Sequence, residues 1–360
     1  MKKTETVFIA ISGVKNSGKT TLITRLLPIL AGYGLKIATI KHDGHEFEGD
    51  VPGTDTYRHR KAGAYGTAVF SKNCFMAVKN QEDVTEKDLC RFFPEADLIL
   101  LEGFKGSDYP KIETVQKSVS RETVCDRKGL LAFVADFDIP DRGEIPCLSL
   151  AEPKAAARLI YNYWYCRTQM SMIILAGGKS RRMGRDKADM FLSGKTFLQH
   201  QIAKGETLGI QNIVVSGYGG SLCDRPVVFD RHLGMGPLGG LEAALKKVEH
   251  RACLVLSVDT PLISVWELQR MIEHSRMSEK RITVLKHGER IEPLVGIFKK
   301  DLADEIEKNL KDGKVKAFLD HVGFDVYESH GDEGIFLNIN DQADYETAEK
   351  FLRDTRTYRS

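Results

Sequence analysis

Charge of one sign is missing from this 360-residue chain. Its 52 lysines and arginines meet 50 aspartates and glutamates, for a formal net charge of +2. Bulk charge therefore argues for neither nucleic acid nor a membrane surface as a partner, and local basic clusters matter more than the total. A long apolar run is also missing. No stretch approaches the roughly 18 apolar residues of a membrane span. The opening MKKTETVFIAISG shares only its two lysines with a secretory leader; its apolar part is short and leads into a glycine-lysine motif that a mature protein needs. Paired cysteine is the third absence. Cys74, Cys90, Cys125, Cys147, Cys166, Cys223 and Cys253 are scattered, with no C-x-x-C among them. That argues against a disulfide framework and a cysteine zinc site, and predicts buried or incidental thiols in a reducing, cytoplasmic compartment. Internal repeats and low-complexity segments are absent as well.

What is there reads as two globular halves. At roughly 150 residues per domain the length predicts two domains, placed at 1–167 and 168–360. A hydrophobic fraction of 42% gives each enough apolar material for a core. Strand-like runs alternate with helical patterns twice over. TVFIAIS, KIATIK, ADLILLEG, GLLAFVAD and IPCLSL belong to the first series, which the helix AEPKAAARLIYNYWYC closes. MIILAGG, NIVVSG, CLVLSVD, RITVLKHG and LVGIFKK belong to the second. Such alternation predicts α/β architecture with mainly parallel sheets covered on both faces.

Each half opens on a strand that runs into a glycine-rich loop, and the loops differ in kind. Gly13-Val14-Lys15-Asn16-Ser17-Gly18-Lys19-Thr20 fits G-x-x-x-x-G-K-[ST] between a strand and a helix, the context that a phosphate loop requires. Main-chain N–H groups turned inward and a helix N-terminus favour phosphate there. Gly13, Asn16, Ser17, Gly18, Lys19, Thr20 and Thr21 are the candidate nucleotide-binding residues. Lys19 is expected to reach the β- and γ-phosphates, and Thr20 to hold magnesium. Glu102 ends an apolar strand. It is read either as a carboxylate near that metal or as the solvated end of a buried strand. His42, Asp43, His45, Asp50 and Asp55 lie in a polar stretch; their spacing favours a long surface loop over a metal-binding one.

GVKNSGKTTL, TIKHDGH, DVPGTDTYRHRKAGA and LLEGFK together resemble the molybdopterin-guanine dinucleotide biosynthesis adapter proteins, from residue 6 to about 150. The resemblance implies a P-loop NTPase-like domain that binds GTP, hydrolyses it weakly and assists cofactor assembly and delivery, often as a dimer.

In the second half, Leu175-Ala176-Gly177-Gly178 leaves the backbone bare, and Lys179, Arg181, Arg182, Arg185 and Lys187 follow. So many cations crowd together at a cost unless an anion binds among them. Nucleotidyl transfer needs such charge around its developing negative charge. Asp259 ends the strand LVLSVD, at the edge where open sheets bind ligands. A magnesium carboxylate is the preferred reading, with a helix cap as the alternative. The run L-A-G-G-K-S-R-R-M-G-R-D-K resembles the signature of sugar-nucleotide-type nucleotidyltransferases, in the form carried by the molybdenum cofactor guanylyltransferases, over about 170 to 350. The resemblance implies a Rossmann-like domain. It also places Asp230 and the turn Gly236-Pro237-Leu238-Gly239-Gly240 near the nucleotide, and Glu292-Pro293-Leu294 near the acceptor. Asn338 and Asn340 match an N-x-N that completes a metal or substrate shell; alone they read equally as a turn. Tyr218 stands where relatives carry an asparagine near the base.

The resulting expectation is a fused adapter and guanylyltransferase. Molybdopterin would attack the α-phosphorus of GTP, with Asp259 on Mg2+, Lys187 and Arg182 offsetting phosphate charge, and 175–178 cradling the triphosphate. The implied partners are GTP, molybdopterin, a molybdenum insertase, apo-molybdoenzymes or their chaperones, and a second copy through the N-terminal domain. Alternatives are a CTP-using pterin nucleotidyltransferase and a GTP-regulated delivery scaffold with a weak C-terminal site. Tyr161, Tyr163, Trp164 and Tyr165 are expected to pack within their own domain rather than to dock domains or bind a pterin.

Overall fold

The computed structural model describes residues 6–42, 48–177, 187–221, 223–230, 235–309, 314–329, 331 and 333–357. They form two compact units, Met1–Ile139 with Ile145–Ala156, and Pro140–Glu144 with Ala157–Ser360.

The first unit runs through β1 (Val7–Ser12), α1 (Lys19–Gly32), β2 (Ile37–Lys41), α2 (Asp55–Lys61), β3 (Gly66–Phe70), β4 (Phe75–Lys79), α3 (Glu86–Leu89), β5 (Leu98–Glu102), β6 (Lys111–Val115), β7 (Leu130–Ala135), β8 (Cys147–Ser149) and the start of α4 (Pro153–Gln169). Six strands make one parallel sheet, ordered β2-β5-β1-β6-β7-β8. Leu98, Ile99, Leu100 and Leu101 are wholly buried, as a strand covered on both faces requires. From α1, Leu22, Ile23, Leu26 and Leu30 turn inward. Each stabilises the unit by roughly 1.5–3 kcal/mol relative to an exposed side chain. β2 and β5 lie on one side of β1 and β6 on the other, so the loop after β1 opens at a topological switch point.

Two parts of this unit depart from the sequence reading. β6 carries Lys111, Glu113 and Thr114, so it lacks an apolar signature, yet all three are buried. Part of the polar stretch expected to be a surface loop is helix α2. Asp50 Oδ1 accepts from Val51 N, Thr54 Oγ1 and Thr56 Oγ1, and Thr54 caps the helix by accepting from Tyr57 N. These local bonds satisfy the first turn.

The second unit holds the rest of α4, then β9 (Met170–Leu175), β10 (Phe191–Leu192), β11 (Lys195–Thr196), α5 (Phe197–Leu208), β12 (Asn212–Ser216), β13 (Val227–Val228), α6 (Gly236–Lys247), β14 (Ala252–Ser257), α7 (Val265–Met277), β15 (Ile282–His287), β16 (Arg290–Lys299), α8 (Ala303–Asn309), α9 (Val315–Val322), β17 (Asp325–Glu328) and α10 (Gln342–Thr357). Its sheet is ordered β13-β12-β9-β14-β16-β15-β17, and β16 runs against the other six. The carboxyl ends of β9 and β14 lie side by side at one edge.

The two units divide within α4, at Ala156/Ala157, rather than at its end. The cause is packing. Cys166 shares a core with Met170, Met172 and Ile213. Asn162 Nδ2 donates to Glu273 of α7 at 2.5 Å, and the Arg276 guanidinium lies over the Tyr161 and Tyr165 rings at 4.8 and 5.2 Å. Tyr161 and Tyr165 thus pack on α7 and Tyr163 against Gly209, within the second unit rather than the first half that this helix was expected to close, and α4 passes into β9 with no polar linker. Burial pushes the Cys166 and Cys253 thiols up to about 12. Among the described residues, no helix is long and apolar enough to cross a membrane.

Candidate functional site

In the first unit the loop after β1 has the backbone of a phosphate cradle. Gly13 has φ +137°, Asn16 +64° and Gly18 +91°. Three left-handed residues in one short loop turn successive N–H groups to one side. Ser17 Oγ and Thr114 Oγ1 share a buried hydrogen bond of 2.7 Å that pins the loop to β6. Lys19 Nζ donates to the Val14 carbonyl at 2.6 Å and the Gly13 carbonyl at 3.3 Å. Burial pulls the Lys19 ammonium below its ordinary value, against the Glu102 carboxylate, which supports its charge. Thr20 Oγ1 donates to Glu102 Oε1 at 2.7 Å. The two residues read as a metal pair from opposite ends of the motif are therefore neighbours. Thr21 faces solvent one step along the helix. Of the histidines and aspartates read after β2, Asp43 and His45 lie outside the described residues. Asp50 serves the α2 cap, and Asp55 is exposed beside Arg58.

In the second unit three predicted residues converge. Lys187 Nζ donates to Asn340 Oδ1 at 2.8 Å and lies 3.6 Å from Asp259 Oδ2. Ser257 Oγ donates to Asp259 Oδ1 at 2.6 Å, and Ile339 N donates to the Asp259 carbonyl at 2.9 Å. Asn338 Nδ2 donates to Glu292 Oε2 at 3.1 Å, while its buried Oδ1 has no hydrogen-bond partner among the described residues. Glu292 is nearly buried, and that burial raises its carboxyl above the ordinary range, with Asp259 adding to the rise. The β15–β16 register shifts between Val284 and Leu285, where Pro293 breaks the ladder and Glu292 pairs with Leu285. The Asp230 carboxylate lies against Gly239, over the first turns of α6. Arg182 and Gly178 lie outside the described residues, as do Lys179, Arg181 and Arg185.

The expected cradle over 175–178 needs correction at its start. Leu175 is a core residue of β9 whose carbonyl accepts from Val258 N. The Ala176 and Gly177 N–H groups both donate to the Ser216 carbonyl, at 2.9 and 3.0 Å. They extend the β9–β12 ladder and are not turned toward a phosphate. The two glycines meet closely: a Cβ on Gly177 would fall 3.2 Å from Gly217 Cα, and one on Gly217, at φ +76°, would fall 2.6 Å from Gly177 Cα.

Other residues around this site either were noted in the sequence only as a departure from relatives, as Tyr218 was, or carried no sequence signal. Tyr218 is buried and donates to Asp189 Oδ1 at 2.6 Å, so its hydroxyl serves the turn that follows Lys187. Gln201 and Lys204, both buried on α5, face the turn that carries Asp259. Burial pulls the Lys204 ammonium down to about 7, the Glu144 carboxylate opposing weakly. Because this folded value lies below the ordinary 10.5 of lysine, the unfolded chain binds the extra proton between about 7 and 10.5. Stability from this group therefore rises with pH across that window and is flat below it. Compared with Lys204→Met by urea unfolding, the native protein should gain about 1 kcal/mol per pH unit between pH 7.5 and 9.5. Parallel pH dependences would show that the ammonium is not held in a low-dielectric site.

Two family models match the chain. One, described as molybdopterin guanine dinucleotide synthesis protein B, matches residues 8–136. The other, described as a MobA-like NTP transferase domain, matches residues 172–327. The molybdenum cofactor guanylyltransferase of Syntrophotalea carbinolica is 32% identical over 186 residues, 49% of this chain and 89% of that protein. The molybdopterin-guanine dinucleotide biosynthesis adapter protein of Escherichia coli is 31% identical over 170 residues, 45% of this chain and 95% of that protein.

Proposed function

The chain belongs to the molybdenum cofactor guanylyltransferases through its C-terminal half and to the molybdopterin-guanine dinucleotide biosynthesis adapter proteins through its N-terminal half, and from that membership we propose how its residues divide the work. The C-terminal half transfers GMP from GTP to molybdopterin, forming the guanine dinucleotide and pyrophosphate, and the N-terminal half is its fused adapter.

The observation that carries the assignment of residues is the convergence of Lys187, Asp259 and Asn340 at the edge where β9 and β14 end. The terminal phosphate of molybdopterin attacks the α-phosphorus of GTP, and the bond to the leaving pyrophosphate breaks. Lys187 offsets the charge that gathers on the α-phosphate oxygens of the transferred guanylyl group. Arg182 joins it in this reading. Asn338 and Glu292 stand on the acceptor side, where the amide and carboxylate can orient polar groups of the incoming pterin phosphate.

A magnesium ion fits the donors present. Asp259 supplies a carboxylate, and the buried, unpartnered Asn338 Oδ1 supplies a neutral oxygen; hard oxygens of this kind suit the ion. When bound, it would draw charge from the phosphate oxygens. In the first unit Thr20 and Glu102 make a comparable pair around the GTP of the adapter site.

Base choice follows from family membership rather than from the loop, since main-chain cradles grip phosphates without reading bases. In a competition among equal GTP, CTP and ATP with molybdopterin and magnesium, mass analysis should find mainly the guanine dinucleotide, and a buried hydrogen-bonding pocket should make that preference strong. A mainly cytidylylated product would overturn the guanylyl assignment and leave nucleotidyl transfer standing. Omitting magnesium should abolish product.

A further inference from the structure

We propose that Gln201 and Lys204 of α5 form a positioning clamp that fixes the turn carrying Asp259 and so sets the affinity of the site for its divalent cation. The proposal rests on Asp259 being the metal carboxylate.

The clamp starts from the register of α5. Thr196 and Gln199 close a capping box at its N-terminus, which fixes which side chains face inward. Positions three apart share a face, and Gln201 and Lys204 are such a pair. Gln201 is wholly buried; its Nε2 donates to the Ser257 carbonyl at 2.7 Å and to the Thr260 carbonyl at 3.0 Å. Lys204 Nζ donates to Gln201 Oε1 at 2.9 Å, to the Pro261 carbonyl at 2.8 Å and to the Thr260 carbonyl at 3.4 Å. The pair thus binds the main chain on both sides of Asp259, at Ser257 before it and at Thr260 and Pro261 after it.

Packing does not require these residues. An apolar side chain of similar size would fill the space without removing an ammonium from water, which is costly for any ion held only by neutral oxygens. What the ammonium and the amide add is a grip on main-chain carbonyls that otherwise face the interior with fewer donors. Ser257 Oγ and Ile339 N hold Asp259 from the front, and Gln201 and Lys204 hold the turn from behind. A carboxylate displaced by a fraction of an ångström costs a metal site more than it costs the fold, because ligand geometry is narrower than packing tolerance.

The test compares the full-length protein with Lys204→Met, Gln201→Leu and Asp259→Ala. Mn2+ binding is followed by electron paramagnetic resonance in the presence of GTP, with Gly13→Ala added to every chain so that the second-unit site alone is read, and transfer kinetics and thermal melting are measured alongside. Lys204→Met and Gln201→Leu should melt cooperatively, bind Mn2+ about tenfold more weakly and turn over about tenfold more slowly, with KM for GTP within about twofold of the native value. A role confined to packing would lower the melting temperature and leave Mn2+ affinity unchanged. If Gln201→Leu does not fold, Gln201→Glu keeps the size and the acceptor for Lys204 while losing both donors to the turn. Native Mn2+ affinity and native kcat in a folded clamp variant overturn the proposal. Native Mn2+ binding by Asp259→Ala overturns the metal reading and with it the claim that the clamp sets cation affinity, an outcome distinct from native binding in the clamp variants alone.

Discussion

Asp259→Ala and Lys187→Ala are each expected to lower guanylyl transfer by at least about a hundredfold while the protein remains folded. The size of the effect follows from the chemistry. Nucleotidyl transfer asks the protein for alignment and for charge around the reacting phosphorus, and little else. Lys187 is the described cation nearest Asp259, at 3.6 Å, and Asp259 is the carboxylate at the end of the central strands. Survival of the fold follows from position. Both side chains retain partial solvent access, 19% and 24%, so truncation opens no sealed cavity of the kind that makes core substitutions severe. The main chain at Asp259 keeps its bond from Ile339 N. Single-turnover transfer from labelled GTP, with circular dichroism on the same samples, checks this. Turnover within a few-fold of native in either folded variant would remove that residue from the proposed site.

How far the sequence reached can be judged residue by residue. The phosphate loop was legible because its requirements are local: glycines where φ is positive, a lysine and a threonine opening a helix. Glu102 could be named because an apolar run ended there, and the 2.7 Å bond from Thr20 shows what a strand end beside that loop reaches. Lys187, Asp259 and Asn340 were named separately from motifs spread over 154 positions, and parallel topology gathers them, since loops at the carboxyl edge share one rim. What stayed hidden depends on partners distant in sequence. β6 lacks an apolar run because Thr114 is answered by Ser17 and Ser12 and Glu113 by the N–H groups of Val124 and Cys125. The Ala176 and Gly177 amides looked free until β12 supplied the Ser216 carbonyl. Gln201 and Lys204 are polar residues within a helix and carry no signal of burial by themselves; only the turn at 257–261 accounts for it.

Gly13→Ala is expected to eliminate GTP binding by the first unit while transfer by the second persists. The argument is steric. At φ +137° an L side chain is strained whatever surrounds it, typically by about 1–3 kcal/mol. Here the added Cβ would also fall 2.5 Å from the Thr114 carbonyl oxygen, 2.6 Å from Ser17 Oγ and 2.9 Å from Thr114 Oγ1. The nearest of these is main chain in a buried strand and cannot rotate away, so the loop itself must move. Moving it breaks the Ser17–Thr114 bond and turns aside the N–H groups that would face the phosphates, and a cradle of fixed dipoles loses its grip when they are misdirected. Nothing in this chain of effects involves Lys187, Asp259 or Asn340, which belong to the other unit. Isothermal titration of the full-length protein with GTP and magnesium should therefore give two sites per native chain and one per Gly13→Ala chain, with guanylyl transfer retained to within about tenfold. Lys19→Ala, which removes the cation without moving the loop, should weaken the same site and leave the other. Two intact GTP sites in Gly13→Ala would show that the first unit does not bind nucleotide through this loop, and loss of transfer would show that the two sites are not independent.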